Sequence, residues 1–192
     1  MPTLCVIRHA QPITEGILTG QSDPLLSVHG HNQACRLREL FQTSELNGVI
    51  YSSPLKRAFQ TALYIGGDPI ILPGLAEVTY GDWDGLSWAE IQKRWPQIAR
   101  DKLVSWRGVT PPGGESWDDF ARRVGAALAL VIAGPLPAVI VAHEAVNAII
   151  SNRLVNKSIV DYRQDYCDIR KYEIRSSIES GEPGAPPAGF PH

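Results

Sequence analysis

The stretch "TLCVIRHAQP", residues 3–12, carries an apolar run from Thr3 to Ile7 straight into two adjacent cationic or near-cationic side chains, Arg8 and His9. A short Val/Ile-rich run without polar alternation suits a strand covered on both faces, as in a parallel sheet. Three further segments share the pattern: "GVIY" (48–51), "PIIL" (69–72) and "AVIVA" (138–142). Between them lie helical patterns. The first covers residues 27–41, with Ala34, Leu37, Leu40 and Phe41 at helical spacing. A second covers 54–65, with Ser53 as N-cap and Pro54 in the first helical position. The third starts at Ser87, where Ser87 and Glu90 have capping-box spacing, and stops near Trp95 before Pro96. The fourth starts at Ser116, with Asp119 in the comparable position and Phe120, Val124, Ala127, Leu128 and Val131 as its buried stripe. A fifth follows His143. Strands alternating with helices predict an α/β fold, a three-layer α/β/α sandwich around a mostly parallel central sheet.

At 192 residues the chain fits one domain, large enough to bury roughly 70% of its unfolded surface. The domain is expected over residues 1–179. The remaining "SGEPGAPPAGFPH", 180–192, is rich in Gly and Pro and is expected to be disordered or to lie passively on the surface. Apolar residues make up 44% of the chain, charged residues 20%, and the formal net charge is −2. That balance disfavours a nucleic-acid partner, whose footprint is a strong basic excess. No apolar run approaches the length of a membrane span, and Arg8 and His9 interrupt the early apolar stretch that a signal peptide would need, so a cytoplasmic location is expected. Cys5, Cys35 and Cys167 are odd in number and lack Cys-x-x-Cys spacing, so they read as small buried hydrophobes rather than a disulfide framework or zinc site. A monomer and a homodimer both fit the pattern, because an apolar interface strip carries the same signature as core.

In open α/β sheets ligands bind beyond the carboxyl ends of the strands, which makes each strand-to-helix junction informative. Three junctions here carry basic groups: Arg8 and His9 after the first strand, Arg57 in "SSPLKRAFQTA" after the second, and His143 in "VAHEAVNAII" after the fourth. Arg57 falls in the first turn of its helix, where the macrodipole disfavours a cation and exposed N–H groups favour an anion. A doubly charged tetrahedral anion, such as a phosphoryl group held by the planar forks of Arg8 and Arg57 with His143 as a further donor, accounts for all three junctions. The simpler alternative leaves each side chain solvated at a strand end. A metal site is disfavoured, since no second His follows His143 at helical spacing and His29 and His31 point in different directions. There is no Walker loop and no Gly-x-Ser-x-Gly elbow.

Taken in order, the motifs resemble those of the histidine phosphatase superfamily, the phosphoglycerate mutase-like family. "VIRHAQP" (6–12) is similar to its Arg-His-Gly or Arg-His-Ala signature. "GQSDPLLSVHGHNQA" (20–34) resembles its Gly-x-x-Asp-x-Pro-Leu stretch and Gly-x-x-Gln-Ala helix, and "SSPLKRAFQTA" (52–62) its Ser-Pro-Leu-x-Arg-Ala-x-x-Thr-Ala motif. "LAEVTYGDWDGL" (75–86), "PPGGES" (111–116) and "VAHEAVNAII" (141–150) resemble its later motifs. The resemblance implies the phosphoglycerate mutase-like fold and a mechanism without metal or other cofactor. It implies that His9 is the nucleophile that forms a phosphohistidine, that Arg8, Arg57 and His143 hold the phosphoryl group, and that Glu77 gives a proton to the leaving oxygen. Those roles agree with elementary chemistry: a histidine attacks only when neutral, which flanking cations favour, and a carboxyl gives up a proton near neutrality only if partial burial raises its pKa.

Gln11, Gln21 and Glu144 are further substrate-binding candidates. Thr19, Trp83, Trp88, Trp106 and Asn147 are expected around the leaving group, and Asp82 beside Trp83 is a candidate for the pocket lining. Gln11 stands where many members have Glu, and Trp88 stands where mutases have a Lys for the substrate carboxylate. Glu144 follows His143 where Gly, Asn or Gln is common, so its carboxylate is expected to turn away from the phosphate. The short linker and "PPGGES" look similar to α-ribazole phosphatases and related sugar-phosphate phosphatases. The expected function is therefore metal-independent hydrolysis of a small-molecule phosphomonoester. Phosphoglycerate mutase-type transfer and a non-catalytic phosphate-binding module are the alternatives.

Overall fold

The computed structural model describes residues 2–43 and 48–174; the Gly/Pro-rich stretch 180–192 lies outside them. Among the described residues five strands form one sheet in the order β3-β2-β4-β1-β5. They are β1 (Thr3–Arg8), β2 (Val49–Ser52), β3 (Ile70–Ile71), β4 (Ala138–Ala142) and β5 (Ile169–Glu173). The first four run parallel, and β5 is an antiparallel edge strand paired with β1. Six α-helices among the described residues accompany them: α1 (Val28–Thr43), α2 (Lys56–Ile65), α3 (Trp88–Arg94), α4 (Pro96–Val104), α5 (Trp117–Ala133) and α6 (Glu144–Val155).

Strand alternation divides the core between the two faces of the sheet. Leu4, Val6 and Ile140 pack with Phe120, Val124 and Val131 of α5 and Val146, Ile149 and Ile150 of α6. Cys5, Ile7, Val139 and Val141 pack on the other face with Leu37 and Phe41 of α1 and Ala58 and Ala62 of α2. The result is the expected α/β/α sandwich. β1 and β4 are buried almost throughout, which is why both read as unbroken apolar runs.

Several local expectations change. The second helix begins at Lys56, not Pro54, and its N-cap Leu55 has no side-chain cap; Asp23 Oδ1 instead accepts from the Lys56 N–H at 2.5 Å. Pro96 ends α3 but is also the first residue of α4, a helix that the sequence reading does not contain. Ser87 and Ser116 cap α3 and α5 as expected, the former in a full capping box with Glu90. Leu40 is exposed on α1 although its spacing matches the buried stripe. Cys35 is exposed too, Cys167 is half-buried, and only Cys5 is fully buried.

The topology brings the three basic junctions together because β2, β4 and β1 are neighbours whose ends are level. Arg8 pairs in register with Ala142 and Ser52 with Val141. One residue further on, the His9 N–H donates to Ala142 O at 2.9 Å and the Ser53 N–H to Val141 O at 3.0 Å. Among the described residues no helix is long and apolar enough to cross a membrane.

Candidate active site

A cavity of about 820 Å³ opens at this sheet edge, lined by Arg8, His9, Arg57, Glu77 and Glu144 among others. His9, at the end of β1, is 6% exposed. Its Nδ1 lies 2.7 Å from the carbonyl oxygen of Ala10. A carbonyl only accepts, so the ring proton sits on Nδ1 and Nε2 keeps its lone pair. Burial, the Arg57 charge and the Arg8 charge together push the imidazole pKa down to about 3, against the opposing pull of the Ala10 carbonyl. His9 is therefore neutral at any ordinary working pH, which is the state a nitrogen nucleophile requires. Thr61 secures the following residue: its Oγ1 accepts from the Ala10 N–H at 2.9 Å and donates to Arg57 O at 2.7 Å.

His143 caps β4 and is fully buried. Its ring packs edge-on against His9, with centroids 5.0 Å apart. Its Nε2 lies 2.8 Å from Ser53 Oγ, while its Nδ1 has no hydrogen-bond partner. Ser53 Oγ also accepts from the Leu55 N–H at 3.2 Å. Ser53, read from sequence as a helix cap, serves His143 instead. Burial first, then the His9, Arg57 and Arg8 neighbours, hold His143 well below the usual histidine range. The structure brings His143 to His9 but not into the cavity wall.

Arg57 is 1% exposed although it carries a full charge. Loop carbonyls stabilise it: its guanidinium donates to Ser22 O at 2.9 Å, Gly20 O at 3.0 Å and Thr19 O at 3.2 Å. Asp84 holds that loop in turn. Its carboxylate accepts from the backbone N–H groups of Gly20, Gln21 and Ser22 and from Ser22 Oγ, at 2.7–2.9 Å. Burial alone would raise the Asp84 pKa, but these donors outweigh it and hold the pKa below the usual value. Asp84→Ala should therefore free the loop and loosen Arg57. We expect a stability loss of about 1–3 kcal/mol and inhibition by inorganic phosphate weakened roughly tenfold. Thermal melts and inhibition constants check both; a variant unchanged in phosphate inhibition would show that Arg57 does not depend on this loop.

Arg8 is shared. It donates to Gln164 O at 2.7 Å, stacks with its guanidinium carbon 4.1 Å from the Tyr166 ring centroid, and pairs with Glu144 at 3.0 Å. The Glu144 carboxylate does not turn away: being at the first position of α6, it reaches Arg8 across the β1–β4 pair. An entering phosphate must share Arg8 with Glu144 or displace it. Gln164, which the sequence does not mark, is a buried hub here. Its side chain accepts from Asn147 Nδ2 and Tyr162 OH at 2.9 and 2.8 Å and donates to Val6 O and Asp168 O.

Glu77 follows a short 3₁₀ turn, Pro73–Leu75, and its side chain lines the cavity. Burial raises its carboxyl pKa above the usual glutamate value, although the Val78 N–H donates to Oε1 at 2.9 Å and Arg57, Arg8 and Arg123 pull the other way. Arg123, from α5, anchors its backbone by donating to the carbonyls of Gly74, Ala76 and Glu77 while paired with Glu115 at 2.7 Å. Glu115 belongs to "PPGGES", and this pair is that motif's structural use. The same loop crosses Gly81 so closely that a Cβ there would lie 2.2 Å from Pro112 O, at a φ of +56°.

Other candidates are placed differently from expectation. Gln21 is exposed and its Nε2 donates to Glu77 O at 2.6 Å, so it braces Glu77 rather than lining the cavity. Gln11 is also outside the wall: its backbone N–H donates to Gln33 Oε1 at 3.0 Å and its side chain pairs with Glu15. Trp83 is fully buried in a cluster with Ile91 and Ala99, and Asp82 is exposed away from the lining. Asn147 is buried on Gln164, and Trp88 packs between Trp83, edge-on, and Trp106. Of the residues expected around a leaving group, Thr19 and Trp106 reach the cavity. No group of three His, Cys, Asp or Glu among the described residues is arranged as metal ligands.

The histidine phosphatase superfamily (branch 1) matches residues 4–177. Phosphoserine phosphatase 1 of Hydrogenobacter thermophilus is 34% identical over 132 residues, 65% of this chain and 61% of that one. The structure of a mycobacterial glucosyl-3-phosphoglycerate phosphatase superposes with a TM-score of 0.76 at 27% identity, over 88% of this chain and 89% of the other. The α-ribazole phosphatase of Shigella flexneri shares the fold, with a TM-score of 0.83 at 23% identity over 90% and 91% of the two chains. The chain spans 35% to 64% of the length of the curated relatives it matches, which include 2,3-bisphosphoglycerate-dependent phosphoglycerate mutases. With the family matched over nearly its whole length, and with histidine, arginine and carboxyl groups gathered at one sheet edge, this chain belongs to the histidine phosphatase superfamily.

Proposed function

We propose that the chain hydrolyses small-molecule phosphomonoesters, without a metal ion, through a phosphohistidine at His9. One observation carries the reading. A neutral histidine with its proton fixed on Nδ1 and a carboxyl with a raised pKa face the same cavity. His9 Nε2 attacks phosphorus, the bond from phosphorus to the alcohol oxygen breaks, and the Glu77 proton passes to that oxygen. Water then attacks the phosphohistidine while Glu77 takes one of its protons. The phosphorus–nitrogen bond breaks, inorganic phosphate leaves, and Glu77 is again protonated.

Arg8 and the N–H groups of Arg57 not committed to carbonyls neutralise the phosphoryl oxygens. His143 acts through its packing, which holds the His9 ring. Phosphatase relatives support hydrolysis, whereas the mutase relatives favour transfer between two positions of one substrate. A panel of phosphomonoesters assayed with chelator present tests the proposal. Hydrolysis blocked by vanadate supports it, sustained interconversion of 3- and 2-phosphoglycerate supports the mutase reading, and tight binding without turnover supports a binding module.

A further inference from the structure

The cavity extends far beyond the phosphoryl site. At about 820 Å³ it matches cavities that enclose whole drug-sized ligands, and a phosphoryl group fills a small part of it. The remainder is walled by Trp106 and Trp117 from the segment around α4 and α5, by Ala145 and Ala148 of α6, and by Ile159 and Val160. Trp106 and Val160 are 42% and 60% exposed, unusually open for apolar side chains facing one cavity.

Trp106 is also held in place. It stacks on Trp88 with centroids 5.8 Å apart, and Lys102 Nζ lies 4.9 Å from its ring while donating to Val109 O at 2.6 Å, which closes the loop beneath it. This is a braced aromatic shelf rather than a loose surface tryptophan.

The charges in the same wall point away from an acidic leaving group. Glu144 and the exposed Glu15 line the cavity as carboxylates, Glu77 is the protonated acid, Arg8 is already paired with Glu144, and Arg57 divides its N–H groups between loop carbonyls and the phosphoryl oxygens. The two other lining cations, Arg107 and Arg163, are exposed, and Arg163 donates to the carbonyls of Val160 and Tyr162. A short alcohol bearing a carboxylate beside its phosphate would meet the Glu144 carboxylate and no uncommitted buried cation.

Resting on the phosphatase reading, we infer that the leaving group is an uncharged alcohol with a bulky apolar or aromatic body lying along Trp106, Ala148 and Val160, and that short carboxylate-bearing alcohols are poor substrates. The test compares 2-phenylethyl phosphate with glycerol 3-phosphate and O-phosphoserine, all esters of alkyl alcohols, so the intrinsic reactivity of the bond is nearly constant. The expected kcat/KM advantage of the phenyl compound is about ten- to hundredfold, as burial of a ring of that size implies.

Trp106→Ala and Val160→Asp, both at exposed positions that the fold tolerates, should each reduce that ratio by roughly tenfold, chiefly through KM. Equal or better turnover of O-phosphoserine or glycerol 3-phosphate would overturn the inference, as would a ratio unchanged in both variants. 4-Nitrophenyl phosphate, whose leaving group needs little help, reads the phosphatase reading separately. If it too resists hydrolysis, that reading falls and the inference falls with it.

Discussion

His9→Ala should lower turnover of every phosphomonoester by at least about 10⁴-fold while leaving the fold intact. The side chain is buried, but it lines a cavity and hydrogen-bonds to the carbonyl next to it, so little of the core depends on it. Arg8 and Arg57 would remain in the cavity wall, and with them the affinity for phosphate. Measured binding of inorganic phosphate or vanadate should therefore persist within about tenfold in the variant that no longer turns over. A His9→Ala protein with near-full activity would require a different nucleophile.

The second large effect belongs to Glu77. Glu77→Gln keeps the shape and removes the transferable proton, so kcat for alkyl phosphates should fall by about 10²- to 10⁴-fold, whereas the burst of 4-nitrophenol that accompanies phosphoenzyme formation from 4-nitrophenyl phosphate should slow far less. The pH profile separates this from a structural effect. Burial raises the Glu77 pKa, and a general acid works only while protonated, so wild-type activity declines as pH rises through that raised value. Gln at this position should remove that alkaline limb. His9 contributes no limb in the ordinary range, because its pKa is about 3 and it stays neutral above that. An alkaline limb that survives in Glu77→Gln would assign the proton to another group.

The parts of this account legible in the sequence are those whose signal is local. Arg8, His9, Arg57 and His143 stand directly after strands or at a helix start, and adjacency of β2, β4 and β1 does the rest. Glu77 lies in a loop with nothing local to distinguish it; family resemblance singles it out, and its environment comes from Arg123 and Glu115, 46 and 38 residues away along the chain. Gln164 is invisible for the same reason: its partners lie on β1, α6 and the loop before β5.

Misreadings also have physical causes. Ser53 beside Pro54 has the chemistry of a cap, but α2 starts three residues later and the hydroxyl is claimed by His143. Glu144 was expected to avoid a phosphate site, yet beside Arg8 a carboxylate is electrostatically at home. β5, "IRKYE", is an edge strand with three charged residues of five and Tyr172 buried among them, so it lacks the unbroken apolar run that marked its neighbours. α4 escaped because proline stops one helix and starts the next with equal ease.

The central claim is a covalent phosphohistidine, and acid-free rapid quenching of turnover with a phosphorus-labelled ester tests it most directly. The account predicts label bound to protein within the first turnover, stable to alkali, lost in acid, and recovered on the peptide that contains His9. Turnover with no protein-bound label, or label that persists in His9→Ala, would contradict it.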